Sequence, residues 1–232
     1  SNVPVFEVST YNNVGLEEVI TYLNELFPNA GCELNYSNDY ELLIAIILSA
    51  QCTDKRVNMV TKEMFNKYNT IYDIYNASLD EIENDIKSVG LYKNKSKAIK
   101  EAIKIIVEQY NGIVPHDKKA LISLPGVGNK TANVFRAEYL KEPEIAVDTH
   151  VSRVAKRLGF VTQKDQVETI ERKLRKAFDK SEYIKVHHLF IHFGRYFCKA
   201  INPNCKECAL KDICRFYNGK NRRSIRCSNN RM

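Results

Sequence analysis

The sequence predicts an all-α protein, because apolar residues recur at helical spacing from residue 16 onward. Beyond the first eight residues, no stretch alternates apolar and polar side chains as a half-buried strand would. Residues that favour helix N-termini, such as Asn38 and Ser78, precede several of these patterns. The length of 232 residues fits one large domain or two small ones.

The first two helices are predicted in the acidic part of the chain. Apolar residues at helical spacing over 16–27 predict one helix, and Pro28 ends it. Asn38, with Glu41 three residues later, is expected to cap a second helix that contains the run 42–48. That run has no polar residue, and a helix without a polar face is expected at the centre of its domain.

Eight further helices are predicted by the same spacing. They cover residues 57–68, 78–90, 95–110, 117–123, 129–140, 149–158, 164–178 and 181–197. Candidate caps for the last five are Asp117, Asn129, Asp148, Thr162 and Ser181. The composition of residues 218–232 predicts a disordered tail.

Charge is unevenly distributed along the chain, although the net value is only +7. Residues 1–54 contain eight acids and no Lys or Arg, whereas residues 218–232 contain five bases and no acid. This asymmetry favours a polyanionic partner. A basic globular protein with a disordered tail explains the charge equally well.

No window approaches the roughly 18 uninterrupted apolar residues that a membrane span needs, so no membrane association is predicted. Ser1 and Asn2 without an initiator Met resemble a cloning remnant, and a native leader could have been removed. The expected location is the cytoplasm or nucleoid if the source is bacterial, with a nucleus or organelle as the alternative. A monomer is expected.

Four cysteines near the C-terminus are candidate metal ligands. They are Cys198, Cys205, Cys208 and Cys214, spaced C-x6-C-x2-C-x5-C. Four thiolates suit zinc or an iron-sulfur cluster, and a disulfide interpretation lacks support because nothing else indicates export. A structural zinc site usually has two short Cys pairs, and only one is present, so the spacing favours a cluster without deciding the question.

A glycine-containing hairpin between two predicted helices is a candidate phosphate site. It includes Gly126 and Gly128, whose flexibility would let the backbone turn tightly and expose its N–H groups. An ordinary helix–helix turn is the alternative, but Lys118, Lys119 and Lys130 lie nearby and favour the phosphate interpretation.

Two residues near this hairpin carry possible chemistry. Lys130 is expected in the first turn of its helix, where the positive end of the dipole disfavours the ammonium form and favours a nucleophilic amine. Taken alone, one Lys in a chain with so many basic residues is almost always a solvated surface charge. Asp148 is expected at the start of a later helix, where it would serve as a cap, a catalytic carboxylate or both.

Together the motifs resemble endonuclease III, the helix-hairpin-helix DNA glycosylase family with an iron-sulfur cluster. Besides the cysteine spacing, they are LLIAIILSAQCTD (42–54), GLYKNKSKAI (90–99), LPGVGNKTA (124–132), AVDTHVSRV (146–154) and HHLFIHFGRYFC (187–198). The resemblance runs in order from about residue 16 to 216.

The resemblance implies two helical domains with the DNA cleft between them. A six-helix barrel would span 32–142 and contain the helix-hairpin-helix at about 117–140. A cluster domain would combine 1–31 with 143–217, and the tail 218–232 would follow. The implied partner is double-stranded DNA that contains damaged pyrimidines or abasic sites.

The resemblance also implies site residues and a [4Fe-4S] cofactor at the four cysteines. Lys130 matches the nucleophile of the family and Asp148 its carboxylate. The implied DNA contacts are Gln51 and Leu91, which would fill the gap left by a flipped nucleotide, with Gly126, Gly128, His150, Arg195, Lys199 and Lys206. The implied reaction is removal of an oxidised pyrimidine followed by β-elimination through a Lys Schiff base.

Two rival functions are compatible with parts of the sequence. A monofunctional adenine or mismatch glycosylase of the same superfamily would share the cysteine spacing, but the adenine enzyme lacks a Lys at the hairpin position. A non-catalytic, metal-stabilised DNA-binding module would leave the presence of both Lys130 and Asp148 unexplained.

Overall fold

The computed structural model describes residues 13–219, and all of its regular structure is helical. The α-helices are α1 (Asn13–Leu26), α2 (Asp39–Ser49), α3 (Asp54–Lys67), α4 (Ile71–Asn76), α5 (Leu79–Ile86), α6 (Tyr92–Tyr110), α7 (Lys118–Ser123), α8 (Asn129–Glu138), α9 (Thr149–Leu158), α10 (Val167–Ala177) and α11 (Tyr183–His192). No strand occurs in this part of the chain, which confirms the predicted fold class.

The described part of the chain forms two compact units. The central unit comprises residues 32–144. The terminal unit joins the residues up to Gly31 with those from Ile145 onward. The central unit contains the seven helices α2 to α8, whereas the resemblance implies six. The additional helix is the short α4, which helical spacing did not predict.

Several predicted caps are confirmed. Asn38 accepts a hydrogen bond from the Glu41 N–H at 3.0 Å, and Ser78 forms a capping box with Glu81. Asp117 caps α7 by accepting from the Ala120 N–H at 2.9 Å. Each such cap satisfies a backbone donor that the helix cannot satisfy itself, and contributes about 1 kcal/mol.

Three predicted caps are wrong. Asn129 is the first residue of α8, and the cap position belongs to Gly128. Thr162 does not cap α10, since Asp165 accepts from its N–H at 2.7 Å and the helix begins only at Val167. Ser181 lies inside a 3₁₀ turn before α11. Polar residues favour loops as well as caps, which explains the misassignments.

Two residues of the predicted disordered tail, 218 and 219, are ordered in a helical turn. Residues 215–219 are helical, and the Asn218 side chain donates to the Asp212 carbonyl at 2.8 Å. The rest of the predicted tail and the apparent strand alternation in the first eight residues lie outside the described residues.

The core of the central unit is built around α2. Residues 40 and 42–48 of this helix are all buried, as its lack of a polar face predicts. Burial of each large apolar side chain stabilises the fold by about 1.5–3 kcal/mol. The N-terminus of α2 is also fixed, because Asp39 accepts a hydrogen bond from the Val114 N–H at 2.8 Å.

The terminal unit is built around α9 and α11, which pack against each other with α1 alongside α11. A π-helical turn, Phe193–Phe197, continues α11. Gly194 lies in this turn, where a Cβ atom would be only 2.9 Å from the Cβ of His150 on α9. The absence of a side chain therefore allows the two helices to cross closely.

No helix in residues 13–219 is both long and apolar enough to cross a membrane.

Candidate functional site

The predicted hairpin connects α7 to α8 in the central unit. Leu124 and Val127 are buried and anchor the connection, whereas Gly128 and Lys130 are exposed. Gly128 occupies the cap position of α8, and as a glycine it has no side chain to accept a cap hydrogen bond. The first N–H groups of α8 therefore form the kind of helix N-terminus that binds an anion.

The two glycines of the hairpin have different structural roles. Gly126 has φ +78°, and a Cβ atom there would be 2.9 Å from the Cβ of Ala98 on α6. Gly128 has φ −92°, and a Cβ atom there would meet nothing within 4 Å. Packing and conformation thus require glycine at 126, whereas the protein itself leaves open space at 128.

Two other predicted DNA contacts, Gln51 and Leu91, lie on neighbouring loops of the same unit. Both are exposed, Leu91 by 56%, and both have left-handed backbone conformations with φ 55° and 58°. Such a conformation costs a residue other than glycine about 1–2 kcal/mol. The loops are adjacent, because a Cβ atom on Gly90 would lie 3.8 Å from the Gln51 carbonyl oxygen.

Lys95 connects these two loops, and sequence analysis did not identify it. Its side chain is buried, and Nζ donates to the carbonyl oxygens of Leu48 at 2.9 Å and Ala50 at 2.6 Å. Its backbone N–H donates to the Leu91 carbonyl at 3.1 Å. Burial lowers the pKa of Lys95 below its ordinary value, because the ammonium loses its water.

In the terminal unit, Asp148 caps α9. Its Oδ1 atom accepts a hydrogen bond from the Val151 N–H at 2.7 Å, which confirms the predicted cap. The residue is half-buried, and it follows the buried segment 144–147. The carboxylate is therefore held in a fixed position at the positive end of the helix dipole.

His150, in the first turn of α9, is held by Arg153. The Nη2 atom of Arg153 lies 3.1 Å from Nδ1 of His150 and donates to the Gly194 carbonyl at 2.7 Å. With Arg153 donating to Nδ1, the neutral ring carries its proton on Nε2. Burial lowers the pKa of His150, and the nearby Asp148 carboxylate opposes that shift.

The three predicted basic contacts of the terminal unit are placed around the cysteine segment. Arg195 is half-buried in the π-helical turn that ends at Phe197. Lys199 and Lys206 are exposed, the latter in a short 3₁₀ turn. Lys199 directly follows Cys198 and Lys206 directly follows Cys205, so both ammonium groups lie on the exposed surface beside the cysteines, where they could contact phosphate.

The four predicted cysteine ligands line one cavity, and none of them forms a disulfide. Leu158, Phe193, Phe197, Pro203 and Phe216 supply apolar walls of the same cavity. Burial raises the pKa of Cys208 to about 11 and also raises that of Cys214. Metal binding would have to displace these protons, as it does in any thiolate site.

The donors around the sulfur atoms fit a negatively charged metal centre. The Leu210 backbone donates a hydrogen bond to Cys208, and the Phe216 and Tyr217 backbones donate to Cys214. Such hydrogen bonds orient and stabilise thiolate ligands of zinc and of iron-sulfur clusters. The donor set of the cavity therefore suits a metal centre with four thiolate ligands.

Arg157 is a second buried cation that sequence analysis did not identify. It donates to the Cys198 sulfur at 3.3 Å and to the carbonyls of Lys199 at 2.7 Å and Ala200 at 3.0 Å. Its guanidinium lies 4.2 Å from the centroid of the Phe216 ring. Arg157 thus fixes the loop that follows the first cysteine.

Sequence analysis did not identify three buried or half-buried cations, and the physical reason is the same for each. Lys95, Arg153 and Arg157 are charged residues on helices, and such residues are normally assigned to solvent. The only available signal was the i, i+4 spacing of Arg153 and Arg157 in a predicted helix, and this spacing is common on exposed surfaces.

A family model described as HhH-GPD superfamily base excision DNA repair protein matches residues 44–180. Endonuclease III of Bacillus subtilis is 48% identical over 200 residues, which are 86% of this chain and 91% of that protein. Endonuclease III of Escherichia coli K12 is 42% identical over 199 residues, which are 86% of this chain and 94% of that protein.

Solved structures of endonuclease III bound to DNA have a similar fold. A non-covalent complex matches with a TM-score of 0.87 and 46% identity, covering 92% of this chain and 100% of that chain. A trapped covalent intermediate with DNA matches with a TM-score of 0.87 and 45% identity, covering 91% of this chain and 99% of that chain.

The hairpin geometry predicts different effects of a methyl group at its two glycines. Gly126→Ala should lower the free energy of unfolding by about 2–4 kcal/mol, from left-handed strain and the contact with Ala98. Gly128→Ala, the matched control, should lower it by no more than about 1 kcal/mol. Denaturant unfolding measures both values, and equal losses would contradict this account of Gly126.

Proposed function

The chain belongs to the endonuclease III family of base excision DNA repair proteins, and we propose that Lys130 and Asp148 carry out its chemistry. The family activity is that of a DNA glycosylase and abasic-site lyase acting on oxidised pyrimidines. The observation that carries the assignment is the exposed Lys130 in the first turn of α8, two residues after Gly128, where a Cβ atom would meet nothing within 4 Å.

The proposed reaction begins with a damaged pyrimidine nucleotide flipped out of the duplex. The Lys130 amine attacks C1′ of the sugar while the bond from C1′ to the base breaks, and the base leaves with the bonding electrons. The new secondary ammonium loses a proton, the nitrogen lone pair forms a C=N bond as the C1′–O4′ bond breaks, and O4′ takes up a proton, which gives a Schiff base on the opened sugar. This group acidifies the C2′ protons, so removal of one expels the 3′-phosphate and nicks the strand.

Asp148 is proposed to stabilise the positive charge that develops on the sugar as the base departs. The cap hydrogen bond occupies Oδ1 and fixes the orientation of the carboxylate. A carboxylate can accept further hydrogen bonds at its second oxygen, so capping and catalysis are compatible. The fixed geometry reduces the reorganisation needed in the transition state.

The hairpin is proposed to hold a DNA phosphate. The backbone N–H groups at the start of α8 would donate to the phosphate oxygens, and Gly126 and Gly128 would bring the backbone close to the strand. Such contacts position the duplex without reading its sequence, which suits an enzyme that must act at many sites.

Gln51 and Leu91 are proposed to enter the duplex and fill the space left by the flipped nucleotide. The supporting features are their exposure and the adjacency of their loops. An exposed leucine side chain is suited to stacking against base edges, because it removes apolar surface from water on binding. Gln51 can also hydrogen-bond the base that remains.

The metal centre is proposed to be a [4Fe-4S] cluster bound by Cys198, Cys205, Cys208 and Cys214. The supporting features are the cavity that these thiols share and the backbone donors to two of them. The cluster would cross-link the segment 198–214 and would supply no redox chemistry, since the proposed reaction transfers no electrons. His150, Arg195, Lys199 and Lys206 would then contact phosphates.

This proposal gives each unit a role. The central unit would be the helical barrel domain with the helix-hairpin-helix, and the terminal unit the cluster domain. The relatives named above are bacterial, which supports a location with chromosomal DNA in the cytoplasm.

Lys130→Gln should abolish nicking of a duplex that contains an abasic site, because an amide cannot form the Schiff base. DNA affinity should change by less than about tenfold, since one charge contact is worth little in a larger interface. Lys104→Gln removes an exposed lysine from α6 and serves as the matched control. Base release without nicking by the wild-type protein would instead support a monofunctional glycosylase.

Two substitutions at Asp148 separate its cap from its charge. Asp148→Asn keeps an acceptor for the Val151 N–H and should preserve the free energy of unfolding, whereas Asp148→Ala should lower it by about 1 kcal/mol. Both should slow base release by about a hundredfold or more, because the charge is lost in each. Wild-type rates in the Asn variant would contradict the catalytic role.

Metal analysis tests the cluster. The purified protein should contain iron and acid-labile sulfide in equal amounts, about four of each per chain. Cys205→Ser should lose most of both, whereas Cys52→Ser, which changes a cysteine outside the cavity, should retain them. Stoichiometric zinc in place of iron would contradict the assignment.

A further inference from the structure

Lys95 makes an arrangement that the chemistry proposed above does not use. It lies in the first turns of α6 and is only 6% exposed. Its Nζ atom donates to the carbonyl of Leu48 in the last turn of α2 and to that of Ala50, the residue directly before Gln51. A buried ammonium needs such acceptors, because otherwise the loss of water would not be compensated.

The same residue also fixes the start of α6. The backbone N–H of Lys95 donates to the Leu91 carbonyl at 3.1 Å, so the first full turn of the helix closes on Leu91. Lys95 thus has hydrogen bonds to the backbone on both sides of the loop pair. Its side chain holds the segment that leads into Gln51, and its main chain holds Leu91.

The conformations of Gln51 and Leu91 need such support. Both residues have a left-handed backbone conformation, and neither is a glycine, asparagine or aspartate, the residue types that adopt this conformation most readily. Conformations of this kind persist where the surroundings determine them, and they concentrate at ligand-binding sites. Burying an ammonium costs desolvation free energy, and helix carbonyls can be satisfied by water without that cost. The burial of Lys95 therefore indicates that the backbone geometry it imposes on these loops has a function.

We infer that Lys95 is a positioning residue of the glycosylase, holding Gln51 and Leu91 side by side so that both enter the duplex when a nucleotide is flipped. This inference rests on the proposed role of Gln51 and Leu91. Lys95 itself contacts neither substrate nor reacting atoms. It acts on the step that extrudes the nucleotide and leaves the chemistry of Lys130 unchanged.

The chain contains a matched control on the same helix. Lys100 also donates through Nζ to two backbone carbonyls, those of Tyr75 and Ala77 at the end of α4. Burial lowers the pKa of Lys100, as it does for Lys95. The two lysines make the same kind of interaction, but only Lys95 joins the segments that carry Gln51 and Leu91.

The test compares Lys95→Met with Lys100→Met, since methionine keeps most of the side-chain volume and removes the charge. The first assay is single-turnover release of thymine glycol from a duplex at saturating protein. The second is nicking of an abasic site in a single-stranded oligonucleotide, which requires no extrusion from a base pair. Far-ultraviolet circular dichroism and thermal unfolding identify the folded fraction of each variant.

Lys95→Met should slow release from the duplex by about tenfold and leave single-stranded nicking within about twofold of wild type. Fluorescence of 2-aminopurine next to the lesion should rise more slowly, since this signal reports unstacking. Lys100→Met should be indistinguishable from wild type in all three assays. Equal slowing by both variants, or equal slowing of both substrates, would overturn the positioning role.

A coupling experiment keeps the test decisive if Lys95→Met is also less stable. In a Gln51→Ala, Leu91→Ala background, Lys95→Met should cause no further slowing, because the side chains that it positions are gone. A further tenfold loss there would overturn the inference. A background variant as fast as wild type would overturn the role of Gln51 and Leu91 with it, whereas an inactive wild-type protein would contradict the proposed function itself.

Discussion

The burial of α2, an eleven-residue helix without a polar face, is the constraint on which the central unit depends. Its Ile47 side chain lies 3.5 Å from where a Cβ atom on Gly126 would be, so the helix supports the hairpin. Its last carbonyls bind Lys95, and its N-terminal Asp39 binds the backbone at Val114. One apolar helix thereby sets the positions of the proposed phosphate site and of the loop that carries Gln51.

In the terminal unit, α9 is the helix that fixes the positions of the proposed site residues. Its first turn is capped by Asp148, and its apolar face, which includes Val151 and Val154, is buried. From the opposite side, Arg153 and Arg157 donate to the backbone at Cys198. The proposed catalytic carboxylate and the proposed ligand Cys198 are therefore both fixed by a single helix, so the proposed cluster could affect the carboxylate although the proposed reaction transfers no electrons.

The fold was predictable where local chemistry and burial agree. Helical spacing and the caps at Asn38 and Asp148 gave most helices, because both signals depend on nearby residues alone. The short α4 was missed, since six residues offer little periodicity. Lys95 was also missed, because a lysine becomes buried only when acceptors distant in sequence surround it, here 45 and 47 residues away. The roles of the site residues came from the family resemblance rather than from spacing.

The most direct test of the central claim is to identify the residue that bonds to DNA. The protein is incubated with a duplex that contains one thymine glycol, the imine is reduced with borohydride, and the adduct is digested and mapped by mass spectrometry. The account predicts a sugar-derived adduct on Lys130. An adduct on another amine, or base release with no adduct, would contradict it.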